Sequence, residues 1–263
     1  MYKAIIFDLY GTLLDIHTDE NQALLWEKMA YLYGMRGAHY TPDALQKGFL
    51  SHVALLMEKR RTKGIDFPDI DLLKVFKHLY KANNAKATKQ VLLETAKFFR
   101  LLSLDYVKPY PGAIELLEYL KEADYKVFLL SNAQESFTMN ELHVTGIKKY
   151  FNSIYLSSQY KVAKPSHAFF QILLDKEKLL PSDCLFIGND HTTDIEGAIQ
   201  MGMDSVYLHT NCSQSDVPDV IDAMWRLNSG NLFELIELMK TLPTIETIET
   251  IEKIETNETI TIE

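Results

Sequence analysis

A charge placed directly after a run of β-favouring apolar residues stands out near the start of this chain. Asp8 follows Ala4-Ile5-Ile6-Phe7 and opens the segment Asp8-Leu9-Tyr10-Gly11-Thr12. A carboxylate at the end of a buried strand costs free energy unless a partner or a reaction uses its charge. Gly11 permits a sharp turn that would aim backbone N–H groups at a bound anion. Capping of that same turn is the other use open to Asp8.

Three more expected strand ends carry polar groups of related chemistry. Leu129-Leu130 runs into Ser131-Asn132. A hydroxyl there can donate to a phosphate oxygen and an amide can orient a ligand or backbone, although an ordinary strand-to-helix turn reads the same way. Lys164 precedes Pro165, which disfavours helix at the lysine. Its side chain can therefore leave a loop toward a crevice, or simply stay solvated. Phe186-Ile187-Gly188 leads to Asn189-Asp190 and then to Asp194, two aspartates at a strand end and the start of a helix. Asp8, Asp190 and Asp194 gathered closely would repel one another unless a cation lay among them. Oxygen-only ligands suit Mg²⁺. Asp194 can alternatively serve the dipole of a helix N-terminus.

Short apolar runs with little alternation, Lys3–Phe7, Lys126–Leu130, Ser153–Leu156, Cys184–Ile187 and Ser205–Leu208, predict strands covered on both faces. Between them lie the amphipathic stretches Ala113–Glu122, Glu135–Val144, His167–Lys178 and Thr193–Met201. That alternation predicts an α/β fold, a doubly wound parallel sheet with right-handed crossovers. Its strand ends would converge on one crevice. Residues 16–105 break the rhythm. They show helical spacing, as in Leu25, Met29, Leu32 and Tyr33, and Thr41-Pro42 predicts a capped helix start. Nothing in the interval reads as a strand. The expectation is an inserted all-helical domain over 16–105, with a sheet domain made of 1–15 and 106–240. From Thr244 the triplet Thr-Ile-Glu recurs. A three-residue period fits neither helix nor strand, so 241–263 is expected to be a low-complexity appendage.

The 263-residue chain has a formal charge of −9; six Glu and one Lys from Thr244 onward supply −5 of it and leave −4 for the body. A mildly acidic body argues against nucleic acid or an anionic membrane as the main partner. Two cysteines, Cys184 and Cys212, do not make a disulfide framework, and Asp8 cuts the first apolar run. A cytoplasmic protein without a secretory signal is expected. No apolar run approaches the length of a membrane span. The eight His show no zinc-type spacing.

In order and spacing, Asp8-Leu9-Tyr10-Gly11-Thr12, Ser131-Asn132, Lys164-Pro165 and Gly188-Asn189-Asp190 with Asp194 resemble the haloacid dehalogenase-like hydrolase superfamily, from Met1 to about Lys240. The resemblance implies a Rossmann-like core with a helical cap inserted after the first strand. It implies Asp8 as the nucleophile that takes a phosphoryl group from a small phosphorylated metabolite. Mg²⁺ would be held by Asp8, the backbone carbonyl of Tyr10, and Asp190 or Asp194. Thr12, Ser131, Asn132 and Lys164 would bind or balance the phosphoryl group. Phosphatases of the family usually carry a second aspartate two residues after the nucleophile, as general acid and base; here Tyr10 stands there. Dehalogenases of the family have Tyr at that place, need no metal, and replace the metal carboxylates by Ser and Asn, whereas this chain keeps Asp190 and Asp194. What the resemblance implies is therefore a Mg²⁺-dependent phosphatase, ahead of a 2-haloacid dehalogenase or a non-catalytic binder of a phosphorylated ligand. Asp15, His17 and Glu20 are candidates for the missing proton donor. Arg36, Arg60, Arg61 and Lys63 are candidates for substrate contacts.

Overall fold

In the computed structural model, which describes residues 2–242, β1 (Ala4–Phe7) is buried along its whole length. Ala4 and Ile6 join the apolar cluster on one face of a sheet, while Ile5 and Phe7 join the cluster on the other. That is the two-residue period of a strand covered on both sides. The chain continues through β2 (Leu14–Thr18), α1 (Ala23–Gly34), α2 (Pro42–Arg61), α3 (Leu72–Ala82), α4 (Lys89–Ser103) and β3 (Leu104–Pro109). There follow α5 (Ala113–Glu122), β4 (Lys126–Ser131), α6 (Glu135–Val144), β5 (Ser153–Leu156), α7 (Ser157–Tyr160) and α8 (His167–Glu177). Then come β6 (Cys184–Gly188), a π-helical turn over His191–Ile195, α9 (Glu196–Gln200), β7 (Asp204–Leu208), β8 (Trp225–Leu227) and α10 (Leu232–Thr241).

Six strands form one parallel sheet in the order β5-β4-β1-β6-β7-β8. Because β1 lies between β4 and β6, the chain reverses the direction of sheet growth beside it. The carboxyl ends of these three strands open on the crevice that such a reversal creates. Leu116, Leu117 and Leu120 of α5, with Leu235 and Met239 of α10, share the cluster of Ile5, Phe7, Val127 and Leu129. Phe169, Phe170, Leu173 and Leu174 of α8 share that of Ile6, Phe128, Leu130 and Phe186. Each such side chain, fully buried, contributes about 1.5–3 kcal/mol. The strand ends are therefore anchored by a packed core on both faces.

Helices α1–α4 have a separate core around Leu25, Trp26, Tyr33, Phe49, Phe76 and Phe99, and Phe137 of α6 belongs to it. Thr41 caps α2 by accepting from the Ala44 N–H, with Pro42 at the first helical position. Asp71 and Thr88 cap α3 and α4 in the same way.

Two expectations are corrected here. Residues 16–105 are not wholly helical: β2 and β3 pair as an antiparallel ribbon at the two ends of the helical segment, Asp15 opposite Lys108 and Ile16 opposite Val107. A sixth strand, β8, joins the sheet edge through Trp225, which stacks edge-on against Tyr2. The Thr-Ile-Glu repeat lies outside the described residues. Among the described residues no helix is long and apolar enough to cross a membrane.

Candidate active site

Asp8 is the residue after β1, and its N–H donates to the Ile187 carbonyl of β6 at 2.9 Å, so the strand pairing fixes where its side chain starts. The turn that follows is tightly bonded: the Leu9 carbonyl accepts from Leu13 and Leu14, both at 2.9 Å. Gly11 has φ +83°, and a Cβ there would stand 2.4 Å from the Asn189 side chain. The glycine is thus required both by the turn and by the close approach of β6's exit loop. Its own N–H donates to the Leu14 carbonyl at 2.8 Å and closes the turn.

Three of the expected groups meet at one point. Lys164 Nζ lies 2.6 Å from Asp8 Oδ1 and 2.6 Å from Asp194 Oδ1, so the two carboxylate oxygens are no further apart than twice that distance. Lys164 is 3% exposed and Asp194 1%. The ammonium also sits 5.5 Å from the centre of the Phe186 ring, a favourable face for a buried cation. Asn132 sets the lysine's backbone: its amide donates to the Lys164 carbonyl at 3.1 Å and its oxygen accepts from the Lys164 N–H at 2.8 Å. Asn132 thus holds the loop that delivers Lys164, and it also lines the crevice.

Burial pushes the Asp194 carboxyl up to about 7, Lys164 opposing and Asp8 adding to the rise. Burial alone would lower the Lys164 pKa, but the two facing carboxylates outweigh it and raise it. Both shifts have one origin: two acids share a single cation out of contact with water. Gly188 makes this possible, since a Cβ there would fall 2.3 Å from Asp194 Oδ2.

Asp190 is used differently. Its Oδ1 accepts from the Thr192 and Thr193 N–H groups at 2.9 and 3.0 Å and from the Thr192 hydroxyl at 2.7 Å. Burial would raise its pKa, yet these donors hold it below the usual carboxylate value. Its backbone N–H in turn donates to Asp194 Oδ2 at 3.0 Å. Asp190 therefore caps the turn that aims Asp194 at Lys164. Among the described residues no group of three or more His, Cys, Asp or Glu side chains is arranged to hold a metal ion; the acids that converge are Asp8 and Asp194. The Thr12 hydroxyl, fully buried, lies 3.5 Å from Asp8 Oδ2 and 3.2 Å from Asn189 Oδ1. Ser131, 1% exposed, closes β4.

Tyr10 leads into a second cluster that the sequence did not reveal. Its hydroxyl donates to Glu141 of α6 and lies 3.0 Å from the Thr138 hydroxyl. Arg100 of α4 binds the same Glu141 through Nε at 2.5 Å and stands 5.7 Å from the centre of the Tyr10 ring. Burial and the Glu141 charge raise the phenol's pKa, which keeps the proton on it. The one available signal was a glutamate among the apolar positions of α6, beside Phe137, Thr138 and Leu142.

Between the Tyr10 cluster, the Asn132 turn that holds Lys164 and the helical segment lies a cavity of about 530 Å³, bounded among others by Tyr10, Glu20, Asp69, Arg100, Asn132 and Gln134. Glu20 reaches it from the loop after β2, where desolvation raises its pKa and Arg100 opposes the rise. Asp15 is bound instead by Asn211 at 2.9 Å, Tyr106 at 3.2 Å and Lys108 at 3.4 Å. Burial opposes them, but these partners lower its pKa. His17 pairs with Asp105 on the exposed ribbon, Arg36 with Glu94, and Arg61 with Glu58.

A strand-end aspartate, a buried lysine and an acidic turn thus meet on a doubly wound sheet, and comparison assigns the chain to a class of hydrolase. Residues 2–202 match the haloacid dehalogenase-like hydrolase family, so the chain belongs to it. The (S)-2-haloacid dehalogenase 4A of Burkholderia cepacia is 26% identical over 213 residues, covering 79% of this chain and 83% of that protein. The pyrimidine 5'-nucleotidase PynA of Streptococcus pneumoniae is 25% identical over 220 residues, covering 79% and 84%. The structure of 2-haloacid dehalogenase from Pseudomonas syringae pv. Tomato DC3000 is alike in fold, with a TM-score of 0.61 at 19% identity over 92% of this chain and all of that one.

Proposed function

We propose that this hydrolase is a Mg²⁺-dependent phosphatase of a small phosphorylated metabolite, with Asp8 as its nucleophile. The observation that carries the reading is the charge imbalance at Lys164, where Asp8 and Asp194 face a single cation in a buried site. A 2-haloacid would bring a third carboxylate to that centre and be repelled. A divalent cation would balance it. Asp8, Asp194 and the backbone carbonyl of Tyr10 form an oxygen-only set that fits Mg²⁺. When bound, the ion would offset phosphate charge and polarise a phosphoryl oxygen.

The chain's own residues supply the rest. An Asp8 oxygen attacks phosphorus, the bond from phosphorus to the leaving oxygen breaks, and that oxygen takes a proton. Water then attacks the phosphorus of the Asp8 acyl phosphate, the bond to Asp8 breaks, and inorganic phosphate leaves. Lys164 holds the Asp8 carboxylate in place. Tyr10 is a poor proton donor, because its proton is committed to Glu141. Asp15 is tied up as an ionised ribbon contact. Glu20 is the donor this reading favours: it lines the cavity and, although exposed, is partly desolvated there, which raises its carboxyl pKa. Helices α1–α4 serve as the cap over the crevice, and residues 16–105 as its sequence extent, less the ribbon strands.

A dehalogenase is the second reading, favoured by Tyr10 and by the haloacid dehalogenase among the relatives. A panel of phosphomonoesters assayed with Mg²⁺ and with EDTA, with Asp8→Asn as control, decides between them. Phosphate release that needs both Mg²⁺ and Asp8 supports the proposal. Metal-independent halide release from 2-chloropropionate, with no phosphate release, overturns it.

A further inference from the structure

The helical segment carries a second polar cavity that this chemistry does not use. It encloses about 210 Å³ and is lined by Lys59, Arg60, Lys63, Lys74 and Lys161, with Asp71 the one carboxylate. Lys59 and Arg60 come from the last turn of α2, Lys63 from the turn after it, Lys74 from α3 and Lys161 from the loop after α7. Cations converging from separate parts of the chain differ from the solvated face of a single helix. Asp71, whose Oδ1 caps α3 by accepting from the Leu73 N–H at 2.9 Å, offsets one of these charges and leaves the lining strongly positive. Among the described residues none of the five takes part in an ion pair. Like charges held together in this way raise the local potential and attract an anion.

Lys161 is the left-handed cap that ends α7, with φ +65°, and that turn of the chain places it on the cavity wall. The cavity shares a wall with the crevice, since Leu56, Ile70 and Lys161 face it while Met57, Asp69 and Ala163 face the crevice. Arg60 and the Asp69 N–H both donate to the Lys161 carbonyl, at 3.4 and 3.2 Å, three residues before Lys164.

We propose that this cavity binds an oligophosphate group, such as pyrophosphate or the phosphate tail of a nucleoside di- or triphosphate, outside the reaction crevice. Its volume is below the roughly 300–1,000 Å³ of sites that enclose a drug-sized molecule, so a compact anion fits where a whole nucleotide does not. Five cations exceed what a single phosphate can pair with. Binding is read without turnover, so the proposal stands or falls apart from the phosphatase reading.

The test is calorimetric titration of the full chain with pyrophosphate in EDTA. One site is expected, with inorganic phosphate binding at least about tenfold more weakly, and with a loss of about tenfold or more in Lys59→Gln/Lys63→Gln/Lys74→Gln as charged hydrogen bonds are removed. Lys63→Glu, a single change at an exposed position, should weaken binding in the same direction and guards against a folding defect in the triple variant. Equal pyrophosphate affinity in the wild type and both variants places the anion elsewhere and overturns the proposal, as does absence of binding at millimolar pyrophosphate.

Discussion

Asp8 and Tyr10 are two residues apart, and they lead into two polar clusters whose charges are balanced differently. Asp8 enters a group of two carboxylates and one ammonium, held by contacts of 2.6 Å and largely buried, with Asp8 its most exposed member. Tyr10 enters a group of one carboxylate and one guanidinium, with the phenol and Thr138 as added neutral partners. In the first the Asp194 carboxyl is pushed up to about 7, so negative charge is left over once it ionises. The second is complete, joins α4 to α6, and holds the Tyr10 proton in place. Unspent charge in a rigid, dry site is a capacity to bind a cation or react. A neutral, fully bonded group is a structural tie.

The sharpest way to break this comparison is Asp8→Asn. Turnover should fall by about 10⁴-fold or more, as for other lost nucleophiles, while the midpoint of urea unfolding is held or rises because one of two like charges is gone. A variant that retains activity within tenfold would remove Asp8 from the chemistry. Next in size is Lys164→Met, which leaves two buried carboxylates without a cation. In EDTA this should destabilise the protein by about 3–5 kcal/mol, read from urea unfolding, and saturating Mg²⁺ should return part of the loss. An equal loss with and without Mg²⁺ would show that the carboxylates do not share a metal.

Glu20→Gln sharpens the division of labour within the crevice. If Glu20 gives the leaving group its proton, kcat should drop about 10²-fold for alkyl phosphates and far less for an acyl phosphate, whose leaving group needs no proton. The fall in rate at high pH, where the carboxyl ionises, should vanish with it. Equal losses on both substrate types would assign Glu20 to binding.

The pH dependence of the Asp8 cluster follows from Asp194. Its folded value of about 7 lies above the unfolded value of about 3.9, so between the two the folded protein keeps a proton that the unfolded chain has lost. Stability of the metal-free protein from this group is therefore complete below about pH 4 and declines as pH rises through about 7. Mg²⁺ needs the ionised carboxylate, so its affinity should climb with pH up to about 7 and level off above, with protons released on binding. Calorimetry in buffers of different ionisation enthalpy measures both. Affinity that is flat between pH 5 and 8 would count against Asp194 as a ligand.

How much of this was legible in the sequence depended on how local the deciding interaction is. The five short apolar runs appear as strands within one residue of their expected limits, because burial on both faces leaves an unbroken apolar signature. Asp8 was legible because it directly follows such a run, Lys164 through the proline after it, and Asp194 through its spacing from Asp190 past the strand end. Asp190 and Asp194 read alike in sequence; only the turn geometry decides that one caps and the other reaches the lysine. The β2–β3 ribbon was not legible, since its strands are half-exposed and carry no unbroken apolar run, and each one's partner lies at the far end of the helical segment. Nor was the Tyr10 cluster, whose partners Glu141 and Arg100 are 131 and 90 positions away and chosen by how α4 packs on α6.

Tyr10→Phe has the smallest expected effect and separates the two clusters most directly. It removes the hydroxyl from Glu141 and Thr138 and leaves the ring in place against Arg100. Glu141 keeps the guanidinium through Nε at 2.5 Å, so no buried charge is stranded. The loss of one charged hydrogen bond should cost about 1–2 kcal/mol of stability, visible as a lower unfolding midpoint. Turnover on phosphomonoesters should stay within about twofold, because the phenol's proton is already held by Glu141 and takes no part in the reaction. A fall of a hundredfold with unchanged folding would place the hydroxyl among the reacting groups, and the Tyr10 cluster would then be part of the catalytic centre and not only the tie between α4 and α6.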